Sequence, residues 1–331
     1  MVKFGIEFVP MDLYWRTTFY TIQAEKAGFD YVWITDHFNN RNVYVTLTCI
    51  ALHTNRIKMG PGVTNPYLVN PVMTAQSVAS ISEIAPNRVT LGIGAGDKTT
   101  LSLLGVEIKS PLRAIRESVE IIRSLITTGK AKYSGKIFSV QKAKFNFKPK
   151  GDIPIYIGAQ GPKMLELAAK IGDGILINAS HPKDIGDAYR HIKSGAEKAN
   201  RKLDEIDVAA YTSFSIHEKE KKAIKAATPV VAFIVSGSPE PVLEKHGISV
   251  EDAMAIKKAL EAGNWGEAFS KVTSEMIDAF SISGTPETCI ERINELIKLG
   301  VTQFVVGSPI GPNVREAIDL ISREIIPHFK E

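Results

Sequence analysis

A glutamate stands where an aliphatic residue is expected. Glu7 interrupts the apolar run of Phe4, Ile6, Phe8 and Val9, and strand alternation puts it on the same face as Gly5 and Val9. A carboxyl held among aliphatic groups has its charged form disfavoured, so its pKa rises and it can donate a proton near neutral pH. The plain alternative is a carboxylate paired with a nearby Lys or Arg. Asp36 and His37 close a second apolar run, residues 31–35. They suit an acid/base pair, two metal ligands or a hydrogen-bonding cradle for a polar ring, with turn capping by Asp36 as the bland reading. Metal is the least supported, because the other six histidines are scattered and no carboxylate stands at ligand spacing.

Three further stretches are built for close backbone approach. Gly60, Pro61 and Gly62 are chosen for their backbone, and Val63, Thr64 and Asn65 follow before Pro66 ends any ladder. Gly158, Ala159, Gln160 and Gly161 precede Pro162 at a helix start, where free N–H groups and the helix dipole offer an anion site. Gly92, Gly94 and Gly96 have GxGxG rather than GxGxxG spacing, which excludes a Rossmann turn and its NAD. Asp97 after them caps the next segment or faces a pocket.

These residues need a scaffold that gathers strand ends. Eight short apolar runs can be found, at residues 3–9, 31–35, 57–63, 89–94, 153–157, 174–177, 207–216 and 302–306, most of them followed by helical periodicity. Leu112, Ile115, Val119, Ile122 and Ile126 form the clearest helical stripe. The expected fold is an α/β (β/α)8 TIM barrel, a single domain over 1–331; a doubly wound open sheet is the runner-up. Residues 131–150 read as a small β excursion. Residues 217–283 break the spacing and read as a mainly helical insertion after strand seven, with helical pieces at 230–235, 250–262 and 265–280. In such barrels chemistry sits at the C-terminal strand ends, where Glu7, Asp36, His37, Thr64, Asn65, Asp97, Gln160, Asn178, Thr212 and Ser308 fall.

Composition narrows the classes. Hydrophobic content of 44% with 23% charged residues describes a globular protein with ample core. Forty basic against 36 acidic residues, net +4, does not point to nucleic acid. The distant Cys49 and Cys289 argue for a reducing compartment without a disulfide framework. The chain opens directly on a strand pattern, leaving no room for a signal peptide, and no apolar run approaches the ~20 residues needed to span a bilayer. The expected location is the cytoplasm.

Several motifs carry a resemblance over essentially the whole chain. They are Phe4-Gly5-Ile6-Glu7, Thr35-Asp36-His37-Phe38-Asn39-Asn40, Gly60-Pro61-Gly62-Val63-Thr64-Asn65-Pro66-Tyr67, Gly94-Ala95-Gly96-Asp97-Lys98, Gly158-Ala159-Gln160-Gly161-Pro162 and Val305-Val306-Gly307-Ser308-Pro309. The chain resembles the methylenetetrahydromethanopterin reductases of methanogenic archaea, within the bacterial-luciferase-like superfamily. The resemblance implies hydride transfer between coenzyme F420, a dissociable deazaflavin cosubstrate, and a tetrahydromethanopterin-bound one-carbon unit, in methanogenesis from CO2. It implies a non-prolyl cis peptide at Gly62-Val63 against the deazaflavin. It places Asp36, His37, Thr64 and Asn65 near the ring, and Gly158, Ala159 and Gln160 near the phosphate-bearing tail, with Asn178 among the cofactor-binding residues. Glu7 would be the acid and Asp97 its helper, with no metal. A homo-oligomer, dimer or tetramer, is expected, with the insertion covering the pocket or forming a subunit interface. Other F420- or FMN-dependent oxidoreductases, acting on alcohols or sugar phosphates, and a non-catalytic flavin-binding barrel are the alternatives.

Overall fold

Every run that the sequence marks as a barrel strand is a strand in the computed structural model, which describes residues 2–330. In chain order come β1 (Lys3–Phe8), α1 (Tyr14–Lys26), β2 (Tyr31–Ile34), α2 (Val43–His53), β3 (Lys58–Pro61), α3 (Pro71–Ile84) and β4 (Leu91–Ile93). Then follow α4 (Lys98–Leu103), α5 (Pro111–Thr128), β5 (Lys130–Ser134), β6 (Ser139–Lys144), β7 (Ile155–Gly158), α6 (Pro162–Ile171), β8 (Gly174–Asn178), α7 (Pro182–Lys198) and β9 (Asp207–Ile216). The helices α8 (Glu220–Gly237), α9 (Glu240–Lys245), α10 (Val250–Glu261), α11 (Trp265–Ser270) and α12 (Ser274–Phe280) lead to β10 (Ile282–Gly284) and α13 (Pro286–Lys298). β11 (Gln303–Ile310), α14 (Val314–Leu320) and α15 (Ile326–Lys330) complete the order.

The chain divides into two compact units. One holds Gly5–Asn178 and Asp187–Ala209. Its parallel strands follow β1-β2-β3-β4-β7-β8, with Glu7 level with Trp33, Trp33 with Gly60, Ile93 with Ile157 and Gly158 with Leu176. β3 and β4 meet only through bridges at Met59–Val89 and Thr64–Ile93, because Pro61 offers no donor and the chain leaves the ladder after it. Helix starts are locally encoded: Asn42 accepts from Tyr44 N and Val45 N, and Asn70 from Val72 N just before Pro71 at the first position. At the strand starts, Tyr156 donates to Asp207 Oδ2 at 2.6 Å.

The expected β excursion is the antiparallel hairpin β5–β6. The turn between its strands is held by Glu117 of α5, whose carboxylate accepts Lys136 N, Ile137 N and Phe138 N, each at 2.9 Å. Burial alone would raise the Glu117 pKa, but those three N–H groups pull it below its ordinary value.

The other unit holds Ala179–Gly186 and the chain from Ala210 onward, with residues 2–4. Here the structure departs from the sequence reading in three places. α8 runs straight through Pro229 instead of beginning after it; the missing donor is outweighed by a continuous buried face of Ala223, Ala227, Val231 and Val235. The single helix expected over 265–280 is two, since Thr273 accepts Met276 N at 3.3 Å and starts α12 afresh. Three-residue β10 pairs parallel with β9, Ile282 level with Phe214, and is too short to show a period. The insertion spends its apolar residues on a core of its own, with Val231, Leu243, Ile256, Met276 and Phe280 packed together. Asp184 of α7 accepts His246 Nε2 at 2.9 Å and Lys245 Nζ at 2.7 Å.

Candidate active site

The candidate residues of the first unit gather at the C-terminal ends of its strands. Glu7 is 5% exposed, the penultimate residue of β1. One strand over, Thr35 N extends the ladder to Phe8 O at 3.2 Å, and the chain then turns with Asp36 half-buried and His37 exposed.

The loop after β3 is clamped on both sides. Gly62 N donates to Ile34 O at 2.8 Å, Thr64 N to Gly92 O at 3.0 Å, and Gly94 N to Thr64 O at 2.9 Å. The Gly62–Val63 peptide is cis. Val63 is seated against three glycines. A Cβ on Gly94 would stand 2.8 Å from Val63 Cγ2, one on Gly158 3.3 Å from both Val63 methyls, and one on Gly92 2.2 Å from Pro61 O. The GxGxG spacing is therefore a seat for this loop: it leaves room where a side chain would collide.

Thr64 is fully buried, and its hydroxyl lies in a group that sequence reading did not assemble. Tyr44 of α2 brings its phenol to Thr64 and Thr74, close enough to Asp36 to feel its charge. Burial, with the Asp36 charge adding to it, pushes the phenol up to about 12. Burial also raises the Asp36 carboxyl, against the opposing pull of the Thr64 hydroxyl and His37. Yet the buried oxygens of Thr35, Tyr44 and Thr64 complete no well-formed hydrogen bond within the protein. Such unsatisfied oxygens are rare in a folded core, and two of them, on Tyr44 and Thr64, close to one buried carboxyl mark a place for polar atoms from outside the chain. The signal in the sequence was a tyrosine on the second helical position of an otherwise aliphatic and threonine-rich helix.

The remaining candidates have local partners. Asn65 turns its Oδ1 to Tyr67 N and Leu68 N, at 3.2 and 3.0 Å, and so shapes the loop exit. Asp97 is exposed and caps α4, accepting Thr100 N at 2.7 Å. Ala159 N reaches Leu176 O at 3.0 Å, and Gln160 Nε2 reaches the carbonyl of Asn178 at 3.2 Å, tying the β7 and β8 ends together. In the other unit, Thr212 donates to Val305 O and Ser213 to Ser308 O, so those hydroxyls serve the backbone. No cluster of three metal-ligating side chains occurs among the described residues.

Residues 16–303 match the model of the luciferase-like monooxygenase family. Over 334 aligned residues the chain is 56% identical to the 5,10-methylenetetrahydromethanopterin reductase of Archaeoglobus fulgidus, covering 99% of this chain and all of the relative. The chain belongs to the luciferase-like family and, within it, to the 5,10-methylenetetrahydromethanopterin reductases. The enzyme of that name from Methanolobus tindarius is 52% identical over 98% of the chain and 100% of its own. The solved coenzyme F420-dependent tetrahydromethanopterin reductase of Methanopyrus kandleri superposes with a TM-score of 0.95, at 46% identity and with 99% of each chain covered. The fold is accordingly the (β/α)8 barrel of this family, as the order of strands and helices implied.

Proposed function

We propose that this chain is an oxidoreductase that reduces N5,N10-methylenetetrahydromethanopterin to the N5-methyl compound, reversibly, with reduced coenzyme F420 as a dissociable cosubstrate and without metal or NAD. The observation that carries the reading is the buried group of the Tyr44 and Thr64 hydroxyls close to Asp36, which completes no well-formed hydrogen bond of its own, with the equally unsatisfied Thr35 hydroxyl one residue before Asp36. They offer donors and acceptors to the polar edge of a flat heteroaromatic ring, while Val63, held against its glycines, supports the ring face.

Reduced F420 supplies a hydride when bound. The chain's own residues do the rest. Asp36, His37, Thr64 and Asn65 hold the ring, and the turn of Gly158, Ala159 and Gln160 at the N-terminus of α6, with Asn178 beside it, takes the anionic tail. Glu7 holds the proton that N10 of the pterin takes as the C–N10 bond breaks. The methylene carbon, left electrophilic on N5, then accepts the hydride. Asp97, already committed to capping α4, helps by orienting the pterin.

No helix among the described residues is long and apolar enough to cross a membrane, and we place the enzyme in the cytoplasm. It works as a homo-oligomer. The outward stripe of α2 is Val45, Thr48, Cys49 and Leu52, with no charge on it, and a helix apolar on every side is a helix to be covered. With Trp15, Phe19 and Met73 exposed on the neighbouring α1 and α3, this face offers an apolar surface for a second copy to cover.

The test is an anaerobic assay of the purified protein with oxidised F420 and N5-methyltetrahydromethanopterin, following deazaflavin absorbance. Loss of absorbance only when both are present supports the reading. Reduction of F420 by a secondary alcohol or a sugar phosphate instead would move the chain to another F420 activity. Glu7→Gln is expected to lower turnover at least a hundredfold while F420 binding survives; near-normal turnover removes Glu7 from its role.

A further inference from the structure

The hairpin β5–β6 carries a charge pattern that the reaction does not use. Residues 130–150 hold seven lysines, at 130, 132, 136, 142, 144, 148 and 150, and no acidic residue. Without those seven charges the formal net charge of +4 falls to −3, so the basic character of the whole chain resides here. All seven side chains are exposed, and none enters an ion pair among the described residues. Ala131, Tyr133, Val140 and Ala143 are the more buried residues of the two strands and Lys130, Lys132, Lys142 and Lys144 the exposed ones, a register shift between Ala131 and Tyr133 interrupting strict alternation. Lys130 stands directly across from Lys144 in the ladder, and like charges so placed repel and weaken the pair.

The acids that could relieve this repulsion are occupied. Glu117 is taken up by the three N–H groups of the turn, and Glu120 accepts the Tyr133 hydroxyl at 2.5 Å. Gly135 even lacks the Cβ that would press on Glu117, at 2.3 Å from Oε2. The hairpin is thus anchored from beneath and left positive above. The chain leaving it bonds through Phe145, Lys150 and Asp152 to Gly129, Ser82 and Asn87, on the side where β4 and β7 begin. The candidate active-site residues lie at the opposite ends of those strands, so a partner on the hairpin leaves the site open.

We propose that the outer face of this hairpin is a docking surface for an acidic protein, held by lysine–carboxylate pairs. Three features favour carboxylates on a protein over other anions. The patch is all lysine, with no arginine to grip a phosphate in two places. Its rings, Tyr133, Phe138, Phe145 and Phe147, are only half-exposed; Tyr133 is turned inward to Glu120 and Phe145 stacks on Phe147, so none stands free as a platform for a nucleic-acid base. Its large apolar side chains, Ile137 and Phe138 at the turn among them, are at most half-exposed, too little to enter a lipid surface. Solvated ammonium groups of this kind give fast, salt-sensitive encounters with an oppositely charged surface.

The probe is a short peptide of alternating glutamate and serine, titrated against the full-length protein, beside phosphatidylglycerol vesicles and duplex DNA. The peptide is expected to bind at about 50 mM salt and to weaken at least about tenfold at about 300 mM. The combined Lys130→Gln, Lys132→Gln, Lys142→Gln, Lys144→Gln variant should lose at least about tenfold at the lower salt with turnover unchanged. A control with Lys221, Lys222, Lys225 and Lys257 changed to Gln should bind like the parent. Absence of peptide binding, equal loss in both variants, or tighter binding of vesicles or DNA than of peptide overturns the proposal. Lys144→Glu supplies an independent reading: it should raise the melting temperature by pairing with Lys130 while abolishing peptide binding, and a lowered melting temperature would refute the self-repulsion.

Discussion

The seat of Val63 makes a graded prediction. Alanine at positions 92, 94 and 158 adds one methyl group each, yet the three sites differ in what that methyl meets. At position 92 it would lie 2.2 Å from Pro61 O, a backbone atom whose neighbour Gly62 is tied to Ile34 O. At position 94 it would lie 2.8 Å from a methyl of Val63, and at position 158 it would touch both methyls at 3.3 Å. Val63 is short, β-branched and fixed by the bonds of Thr64 on its C-terminal side, so it yields little. Overpacking costs about 1–3 kcal/mol. Gly92→Ala should reach or exceed the top of that range, Gly94→Ala should fall within it, and Gly158→Ala should cost about 1 kcal/mol or less. At roughly 2 °C per kcal/mol for a chain of this size, thermal melts separate the first from the last. Val63→Ala relieves the clash at 94 but leaves the one at 92. The 63/94 double variant should therefore show a favourable coupling of about 1–2 kcal/mol, and the 63/92 pair much less. F420 titration by fluorescence should follow the same order, because each substitution pushes the loop that we propose supports the ring. Equal costs at the three positions, or additive 63/94 effects, would refute the reasoning.

Two further expectations concern pH. Burial raises the Asp36 carboxyl above its ordinary 3.8, so the folded protein holds that proton more tightly than the unfolded chain. Stability then falls as pH rises from 3.8 through the raised value, and the cost of the buried charge is present above it. Asp36→Asn should melt higher than the parent at pH 7, lose that advantage below 3.8, and bind F420 more weakly; an unchanged or lower melting temperature at pH 7 counts against the burial cost. Glu117 behaves in the opposite sense, because its folded pKa is depressed: its stabilisation is present above 4.5 and lost as pH falls below it. Glu117→Ala should cost about 1–3 kcal/mol at neutral pH and speed hydrogen exchange at Lys136, Ile137 and Phe138, an effect absent if the turn holds itself.

Much of this protein was legible as local chemistry. Alternating or continuous apolar runs marked all eight barrel strands, because a strand declares its buried faces over a few residues. Pro162 announced a helix start and Gly60-Pro61-Gly62 a loop, because capping and turn preferences act within a few residues of their cause, and the caps Asn42 and Asn70 are equally local although only the structure drew them out. A glutamate inside an aliphatic strand was visible for the same reason. Only tertiary structure decided how these parts meet. Tyr44 reaches Thr64 because α2 packs beside β3, and nothing in the spacing of 44 and 64 records it. Gly92, Gly94 and Gly158 belong together only through Val63, on strands far apart in sequence. Lys130 opposes Lys144 through the register of a hairpin that Glu117 sets, and α8 passes Pro229 because its apolar face is buried. Backbone preference is written residue by residue, whereas register and packing are settled by the fold as a whole, and the orphaned hydroxyls around Asp36 belong to the second kind.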